Sequence, residues 1–189
     1  MSAHYAAILE LVGADTDSEG LRETPRRAAK ALYEMTEGSR MGLERIVTLF
    51  KSECEATSCH DMVMVEDIRE VALCEHHLLP FPMSITIAYI PGERILGLSK
   101  MMRIAALFSR RLQNQERVGK QIADFMEEVL EPLGVAVLIE GRHTCSMARG
   151  VRDHNATMKV DVMRGLFKED PTIRAELLSR VGPRGKTLI

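Results

Sequence analysis

Apolar residues follow a helical period in the first third of the chain. Those of segment 6–11 predict a short first helix that ends near Gly13. Thr24 followed by Pro25 is typical of an N-cap and a first helical position, and the apolar spacing carries this second helix to Gly38. The sequence therefore predicts two N-terminal helices.

The period changes to two after a polar, cysteine-containing segment, 51–61, that predicts a loop. Segments 62–73 and 83–90 alternate well enough to predict two strands. Pro80 and Pro82 lie between them and indicate a turn. The first two strands should therefore form a hairpin.

Two amphipathic helices come next, with Ser99 as the candidate N-cap of the first and Asn114 of the second. Segments 135–140 and 156–163 then predict two more strands. Asp170, followed by proline, begins a last helix.

The central order is thus strand, strand, helix, helix, strand, strand. Hairpins at both ends favour an antiparallel sheet with helices on one face, which is an α+β architecture. The edges of such a sheet are exposed, and pairing with neighbouring subunits is one way to cover them. We expect one structural domain with three parts: a helical region and loop over 1–61, the catalytic part over 62–182 and a tail over 183–189.

Composition excludes several classes of protein. Of the 189 residues, 46% are hydrophobic and 28% are charged, which is typical of a globular chain. The net charge of -2 predicts no general attraction to nucleic acid, so an anionic ligand would need a local basic cluster. No apolar run reaches the length of a membrane span and no signal peptide is evident, so we expect a cytoplasmic protein without a membrane partner.

The segment "VALCEHHLLPF" places a thiol, a carboxylate and two imidazoles side by side, at Cys74, Glu75, His76 and His77. In a reducing compartment, cysteine close to histidine indicates metal binding or catalysis. Taken alone, a single Cys-x-x-His more often marks a buried thiol and a core histidine.

A second cluster, "GRHTCSMARG", strengthens the metal hypothesis. It supplies His143 and Cys145, which share a face if that segment is extended. Two cysteines and one histidine make a zinc set with the fourth position open, as in catalytic zinc sites.

Two alternatives stay open at this point. Cys54, Cys59 and His60 offer other ligands, but in a polar loop. Alternatively Cys74 is a nucleophile that a histidine activates, with Glu75 orienting the base.

Five segments together resemble GTP cyclohydrolase I, a zinc enzyme: "EGLRETPRRAAKAL", "LCEHHLLPF", "IAYIPGERILGLSKMMRIAALFSRRLQNQERV", "GVAVLIEGRHTCSMARGV" and "GLFKEDPTIRAELL". They cover almost the whole chain in family order. The resemblance implies the tunnelling fold, and a homodecamer of two stacked pentameric rings with active sites where subunits meet.

The resemblance also implies roles for individual residues. It places the Zn²⁺ ligands at Cys74, His77 and Cys145. Its catalytic residues fall on His76, His143 and Ser99. Its substrate-binding residues fall on Gln115, Glu116, Lys100, Arg103, Arg149, Arg27 and Lys30, with the glutamine and glutamate on guanine and the basic residues around the triphosphate.

The implied reaction opens the imidazole ring of GTP, releases C8 as formate and forms 7,8-dihydroneopterin triphosphate, the first step of folate and pterin synthesis. A zinc ion makes hydroxide available at neutral pH, and an imidazole such as that of His76 titrates in the working range. The anionic triphosphate accounts for basic residues in an acidic chain.

Some positions depart from the family pattern, including segment 156–162 and Asn114, which stands where an aliphatic residue is usual. A specialised copy that serves 7-deazaguanine or other pterin-derived metabolism would look much the same. The rivals are a silent relative that binds GTP or pterin, and another tunnelling-fold enzyme that uses Cys74 as its nucleophile.

Overall fold

The computed structural model describes residues 1–42, 46, 48–51 and 61–182, and the fold is stated for these residues. The predicted tail, 183–189, lies outside them. So do most of the predicted loop and the alternative ligands Cys54, Cys59 and His60. In the described ranges, none of the helices combines the length and the apolar character that a membrane span requires.

Two helices form the N-terminal region, as expected. The first is α1, Ser2–Leu11, and the second is α2, Thr24–Met35. We expected Thr24 to be the N-cap of α2, but Glu23 occupies that position. The Thr24 hydroxyl instead donates to the Gly20 carbonyl at 3.4 Å.

The second helix ends earlier than predicted, because a 3-10 turn, Glu37–Ser39, follows it. Gly38 in this turn donates its N–H to the Arg110 carbonyl at 2.9 Å. A Cβ at Gly38 would come within 2.3 Å of the Leu107 carbonyl oxygen. Glycine is therefore needed here for close backbone contact, which joins the N-terminal region to the rest of the fold.

The remaining elements form the mixed α+β body in the predicted central order, with short elements inserted. They are β1 Leu49–Lys51, β2 Val63–Cys74, β3 Pro80–Ile90, β4 Arg94–Leu96, α3 Leu98–Ser109, β5 Leu112–Gln113, α4 Gln115–Leu130, β6 Gly134–Gly141, α5 Thr144–Met147, β7 Met158–Gly165, α6 Leu166–Glu169 and α7 Pro171–Arg180.

The main sheet has the order β5-β2-β3-β6-β7. Its neighbours are antiparallel except β2 and β5, which are parallel over two residue pairs. Strands β1 and β4 form a separate antiparallel pair.

Alternate residues of β3 divide the core into two parts. Phe81, Ile85 and Tyr89 face α3 and α4 in the larger cluster. On the opposite face, Ala88 contacts a smaller cluster that includes Phe167 of α6 and a residue of α7. The expectation of helices on one face is therefore incomplete, since the C-terminal helices cover one end of the second face.

A β-bulge interrupts β2. Its register against β3 shifts between Val65 and Ile68. Asp67 lies inside the bulge with a φ of +59°. The Ser84 hydroxyl donates to its Oδ1 at 2.8 Å and Arg69 pairs with the same oxygen at 2.6 Å. The carboxylate thus holds a backbone conformation that few residues adopt.

The predicted turn at Pro80 and Pro82 is wrong. Both prolines lie in β3, paired with Leu73 and Val71 of β2. Proline is tolerated at the start of a strand, where its missing N–H costs least, and the Pro82 carbonyl still accepts from the Arg142 N–H at 3.1 Å. The turn of the hairpin is instead formed by residues 75–79.

Two of the three remaining N-cap predictions are confirmed and one is wrong. Asn114 is the N-cap of α4, with its Oδ1 accepting the Arg117 N–H at 2.8 Å. Asp170 caps α7 in the same way. Ser99 is not a cap: Gly97 holds that position before α3, and no side chain caps the helix.

Replacing Asp170 by alanine should lower the free energy of unfolding by about 1 kcal/mol, because the Thr172 and Ile173 N–H groups lose their acceptor. The matched control is Thr24→Ala, which removes no cap and should change it by less than about 0.5 kcal/mol. Urea denaturation at equal protein concentration measures both. Equal losses would contradict this assignment of caps.

Candidate active site

The hairpin turn between β2 and β3 carries the four residues that the sequence singled out. The Cys74 N–H donates to the Leu79 carbonyl at 2.9 Å, and the Cys74 carbonyl accepts from His77 and Leu78 N–H groups at 3.3 and 2.8 Å. Leu78 closes the turn at a φ of +55°. The turn therefore wraps around Cys74 and brings His77 back towards it.

A helical turn supplies the third candidate ligand. His143 and Cys145 would share a face if their segment were extended, but residues 144–147 form α5 with His143 at its N-cap. The Thr144 hydroxyl donates to the Pro80 carbonyl, which ties α5 to the first residue of β3. This contact holds Cys145 beside the hairpin turn.

Cys74, His77 and Cys145 form a group that can hold a metal ion. One ligand atom from each lies within 4.8 Å of the others, and the Cys74 Sγ is 3.6 Å from the His77 Nδ1. Ligands about 2.0–2.3 Å from a tetrahedral zinc ion lie roughly 3.5 Å from one another. The donor set and its spacing therefore fit zinc with one position left open.

The two thiols affect one another. Cys74 is buried and Cys145 is half-buried. Burial, followed by the Cys74 sulfur close by, raises the pKa of the Cys145 thiol above its ordinary value. A divalent cation between the sulfurs would remove this cost by binding both as thiolates.

His76 lies at the same turn but outside the three-residue group. Its Nδ1 is 3.7 Å from the Cys74 Sγ, and its Nε2 is 3.8 Å from a Glu75 oxygen. The side chain is 65% exposed. Its ring is thus open to a ligand that approaches from solvent.

Glu75 connects the turn to the beginning of α4. Arg117 contacts both of its carboxylate oxygens, at 2.5 and 3.0 Å, and the Asn114 Nδ2 donates to one of them at 3.0 Å. The hydrogen bonds from Arg117 and Asn114 hold the pKa of Glu75 below its ordinary value. This carboxylate therefore orients the turn rather than hydrogen-bonding to a histidine, which weighs against the nucleophile hypothesis.

The first residues of α4 point in different directions. Gln115 is fully buried, and its Nε2 donates to the Ile139 and Met158 carbonyls. Glu116, the next residue, is exposed, and its charge acts on His143.

His143 lies between these residues and the turn. Its ring stacks on Phe81, with centroids 4.4 Å apart and planes 10° apart. Its Nε2 is 3.2 Å from the Gln115 Oε1. Burial lowers its pKa from the ordinary 6.5, an effect that the Glu116 charge partly offsets. Uncharged imidazole is therefore favoured.

The remaining predicted residues lie on the surface of the single chain. Arg27, Arg103, Arg149 and Ser99 are exposed. Lys30 pairs with Glu34 at 3.6 Å on α2. Within the described residues, no side-chain hydrogen bond or ion pair joins this set, or Lys100, to the Cys74–His77–Cys145 group.

Sequence reasoning missed two residues that shape the site. Arg117 clamps Glu75, and Phe81 supplies the surface on which His143 stacks. Both lie within quoted motifs, "QER" and "LLPF", but nothing in their spacing revealed a partner distant in the chain.

Comparisons with known proteins agree with one another. A family model described as GTP cyclohydrolase I matches residues 1–182. The GTP cyclohydrolase 1 of Deinococcus radiodurans is 50% identical over 173 residues, which cover 92% of this chain and 79% of that protein. The GTP cyclohydrolase 1 of Hahella chejuensis is 45% identical over 184 residues, covering 96% and 95%.

A crystal structure of the archaeosine synthase QueF-Like in the apo form is more distantly similar. It has 13% identity and a TM-score of 0.47, over 55% of this chain and 93% of that chain. That likeness is too weak to assign the fold.

Proposed function

Because the chain belongs to the GTP cyclohydrolase I family and is an enzyme of that family, we propose that it is a zinc-dependent hydrolase that opens the guanine imidazole ring of GTP. The products are formate, from C8, and 7,8-dihydroneopterin triphosphate, which would feed folate and pterin synthesis. The observation that carries this proposal is the Cys74–His77–Cys145 group beside an exposed imidazole, that of His76.

Zinc would be held by the two sulfurs and the His77 Nδ1, which already lie at the spacing that the ion needs. When bound, it supplies a Lewis acid and lowers the pKa of a water molecule to about 7. Three protein ligands would leave a fourth position for water, as in catalytic zinc sites.

His76 is the residue that moves protons on the guanine ring. Its exposed ring shares the turn with His77, so a substrate that binds beside the Cys74–His77–Cys145 group also reaches His76. Opening the ring requires a proton at the imidazole nitrogen whose bond to C8 breaks. An imidazole can donate that proton and remove one later, because it titrates near the working pH.

Glu116 recognises the guanine. It lies in the first turn of α4, close enough to His143 for its charge to act on that ring. Its two oxygens can accept from guanine N1–H and the exocyclic amine. Adenine has an acceptor at N1 and lacks that amine, so the carboxylate would stay unpaired against ATP.

The triphosphate binds to basic residues at the start of α3, with Arg149, Arg27 and Lys30. No side chain caps α3, and Ser99 and Lys100 lie in its first turn, so the start of this helix can bind an anion. Among the described residues, no side-chain hydrogen bond or ion pair joins these groups to the metal group of the same chain, so we propose pockets shared between subunits of a ring-forming tunnelling-fold decamer.

Incubation of the zinc-loaded protein with GTP tests the function directly. We expect formate and, after oxidation, a fluorescent pterin in equal amounts. If GTP binds but neither product forms, the chain is a silent relative and the proposal fails. Formate without a pterin would indicate that ring opening occurs but reclosure does not.

The two neighbouring histidines should separate in a metal analysis. His77→Ala and Cys145→Ala should lose zinc, because each removes one of three protein ligands. His76→Ala should keep most of its zinc yet lose turnover by roughly 10²–10⁴-fold. The control is His4→Ala, an exposed histidine of α1, which should keep both. Zinc loss in His76→Ala equal to that in His77→Ala would contradict this division.

Base selectivity should depend on Glu116. Glu116→Ala should bind zinc normally but lose GTP affinity and its preference over ATP, since unpaired polar groups reject an analogue by roughly 10⁴–10⁵. Glu116→Gln should also fail, because an amide cannot accept two donors with both atoms. Glu128→Ala removes an exposed carboxylate of the same helix as a control. Unchanged selectivity in Glu116→Ala would leave that residue as a helix-end charge.

Shared pockets predict complementation between inactive variants. Arg103→Ala and His77→Ala should each be inactive, but subunits assembled together should regain activity, since some pockets then combine two intact halves. Mixing His77→Ala with Cys145→Ala should give no recovery, because both residues belong to one chain's metal group. Failure of the first mixture, in assembled particles, would place Arg103 and the metal group in the same subunit.

A further inference from the structure

Gln115 is fully buried, and every polar atom of its amide has a partner. The Nε2 donates to the Met158 carbonyl at 2.9 Å and to the Ile139 carbonyl at 3.2 Å. The Oε1 lies 3.2 Å from the His143 Nε2. These three contacts join the ends of β6 and β7 to the imidazole.

The donor and acceptor count fixes the orientation of this amide. An amide nitrogen has two N–H groups, and two backbone carbonyls use both. Rotating the amide by half a turn would place its oxygen against those carbonyl oxygens, and no donor would remain between them. The Oε1 therefore faces His143, where it can act only as an acceptor.

We infer that Gln115 is a positioning residue that keeps a proton on the His143 Nε2, which leaves the Nδ1 as the ring nitrogen that the amide does not contact. This inference rests on the proposed function for its role in catalysis. The Oε1 cannot donate, so the hydrogen bond exists only if the His143 Nε2 carries the proton. Among the described residues, the Nδ1 has no hydrogen-bond partner.

Two further contacts keep the side chains of Gln115 and His143 in position. Phe81 stacks on the imidazole almost in parallel, which restricts rotation of the ring. Gly141 makes room for the amide, because a Cβ there would come within 2.3 Å of the Gln115 Oε1. Phe81 and Gly141 therefore both help to keep the His143 Nε2 against the Gln115 amide oxygen.

The tautomer defines which nitrogen His143 presents. Its Nε2–H is bonded to the Gln115 oxygen, so the Nδ1 is the nitrogen left for another partner. Gln115 then acts through His143, without touching the substrate.

Nitrogen NMR of the zinc-loaded, full-length protein tests the tautomer without reference to turnover. The protein is labelled with ¹⁵N at histidine and measured at pH 8, and the His143 signals are assigned by difference from His143→Asn. We expect a protonated Nε2. An Nε2 without a proton would overturn the inference. Because this readout needs no substrate, it is independent of the proposed function.

Kinetics test the catalytic consequence. Gly141→Ala leaves the side chains of Gln115 and His143 intact but displaces the amide oxygen. We expect kcat to fall roughly tenfold or more, since correct proton transfer contributes 10²–10⁴-fold, with little change in the KM for GTP. The control is Gly119→Ala, a buried glycine whose Cβ would meet the Val162 Cγ2 at 3.0 Å, a milder crowding away from His143. It should keep kcat.

A double-mutant cycle separates positioning from substrate contact. In a His143→Ala background, Gln115→Met should cost little further single-turnover rate if Gln115 acts only through that ring. Independent losses, or a higher KM from Gln115→Met in both backgrounds, would make Gln115 a substrate contact and overturn the inference. Zinc content and particle size are measured for each variant.

Discussion

The carboxylate of Glu75 is the contact on which the site depends. It joins a five-residue turn at the end of one hairpin to the first turn of α4, through Asn114 and Arg117. Among the described residues, its contacts are the side-chain hydrogen bonds that connect the turn after Cys74 to the helix that carries Gln115 and Glu116. The proposed metal chemistry and the proposed guanine recognition thus share one ion pair. Because the pair is exposed, its contribution is to geometry more than to stability.

Local patterns predicted the elements well and their junctions less well. Order, type and approximate length of the central strands and helices followed from periodicity, because burial on one face imposes that periodicity directly. Caps were harder: Asn114 and Asp170 bond to their own helices, whereas Thr24 and Ser99 have the same residue types without that geometry. The turn predicted at Pro80 and Pro82 was wrong for a related reason, since proline is tolerated at the start of a strand as well as in a turn.

In the candidate site, local sequence patterns again predicted which residues matter better than how they contact one another. Motif spacing brought together Cys74, His77 and Cys145, although Cys145 lies in a short helix and the extended segment considered for it does not form. Spacing could not show that Gln115 turns inward while its neighbour Glu116 turns outward, since that depends on carbonyls of two strands far along the chain. Asn114 was predicted as an N-cap and noted as a departure from the family pattern, but not as a partner of Glu75. Its contact with Glu75 is tertiary, and no local rule foretells such a contact.

The bulge in β2 decides which way Cys74 faces. Before it, Val63 and Val65 point towards α3 and α4; after it, residues of the opposite parity do so, ending with Ala72 and Cys74. Because of one extra residue near Asp67, odd-numbered residues of β2 face the core before the bulge and even-numbered residues face it afterwards. Loss of that residue would leave every ligand in the sequence and rotate the thiol to the other side of the sheet. The metal site therefore depends on the number of residues in β2. Insertions or deletions in this strand should disrupt the site more than most substitutions there.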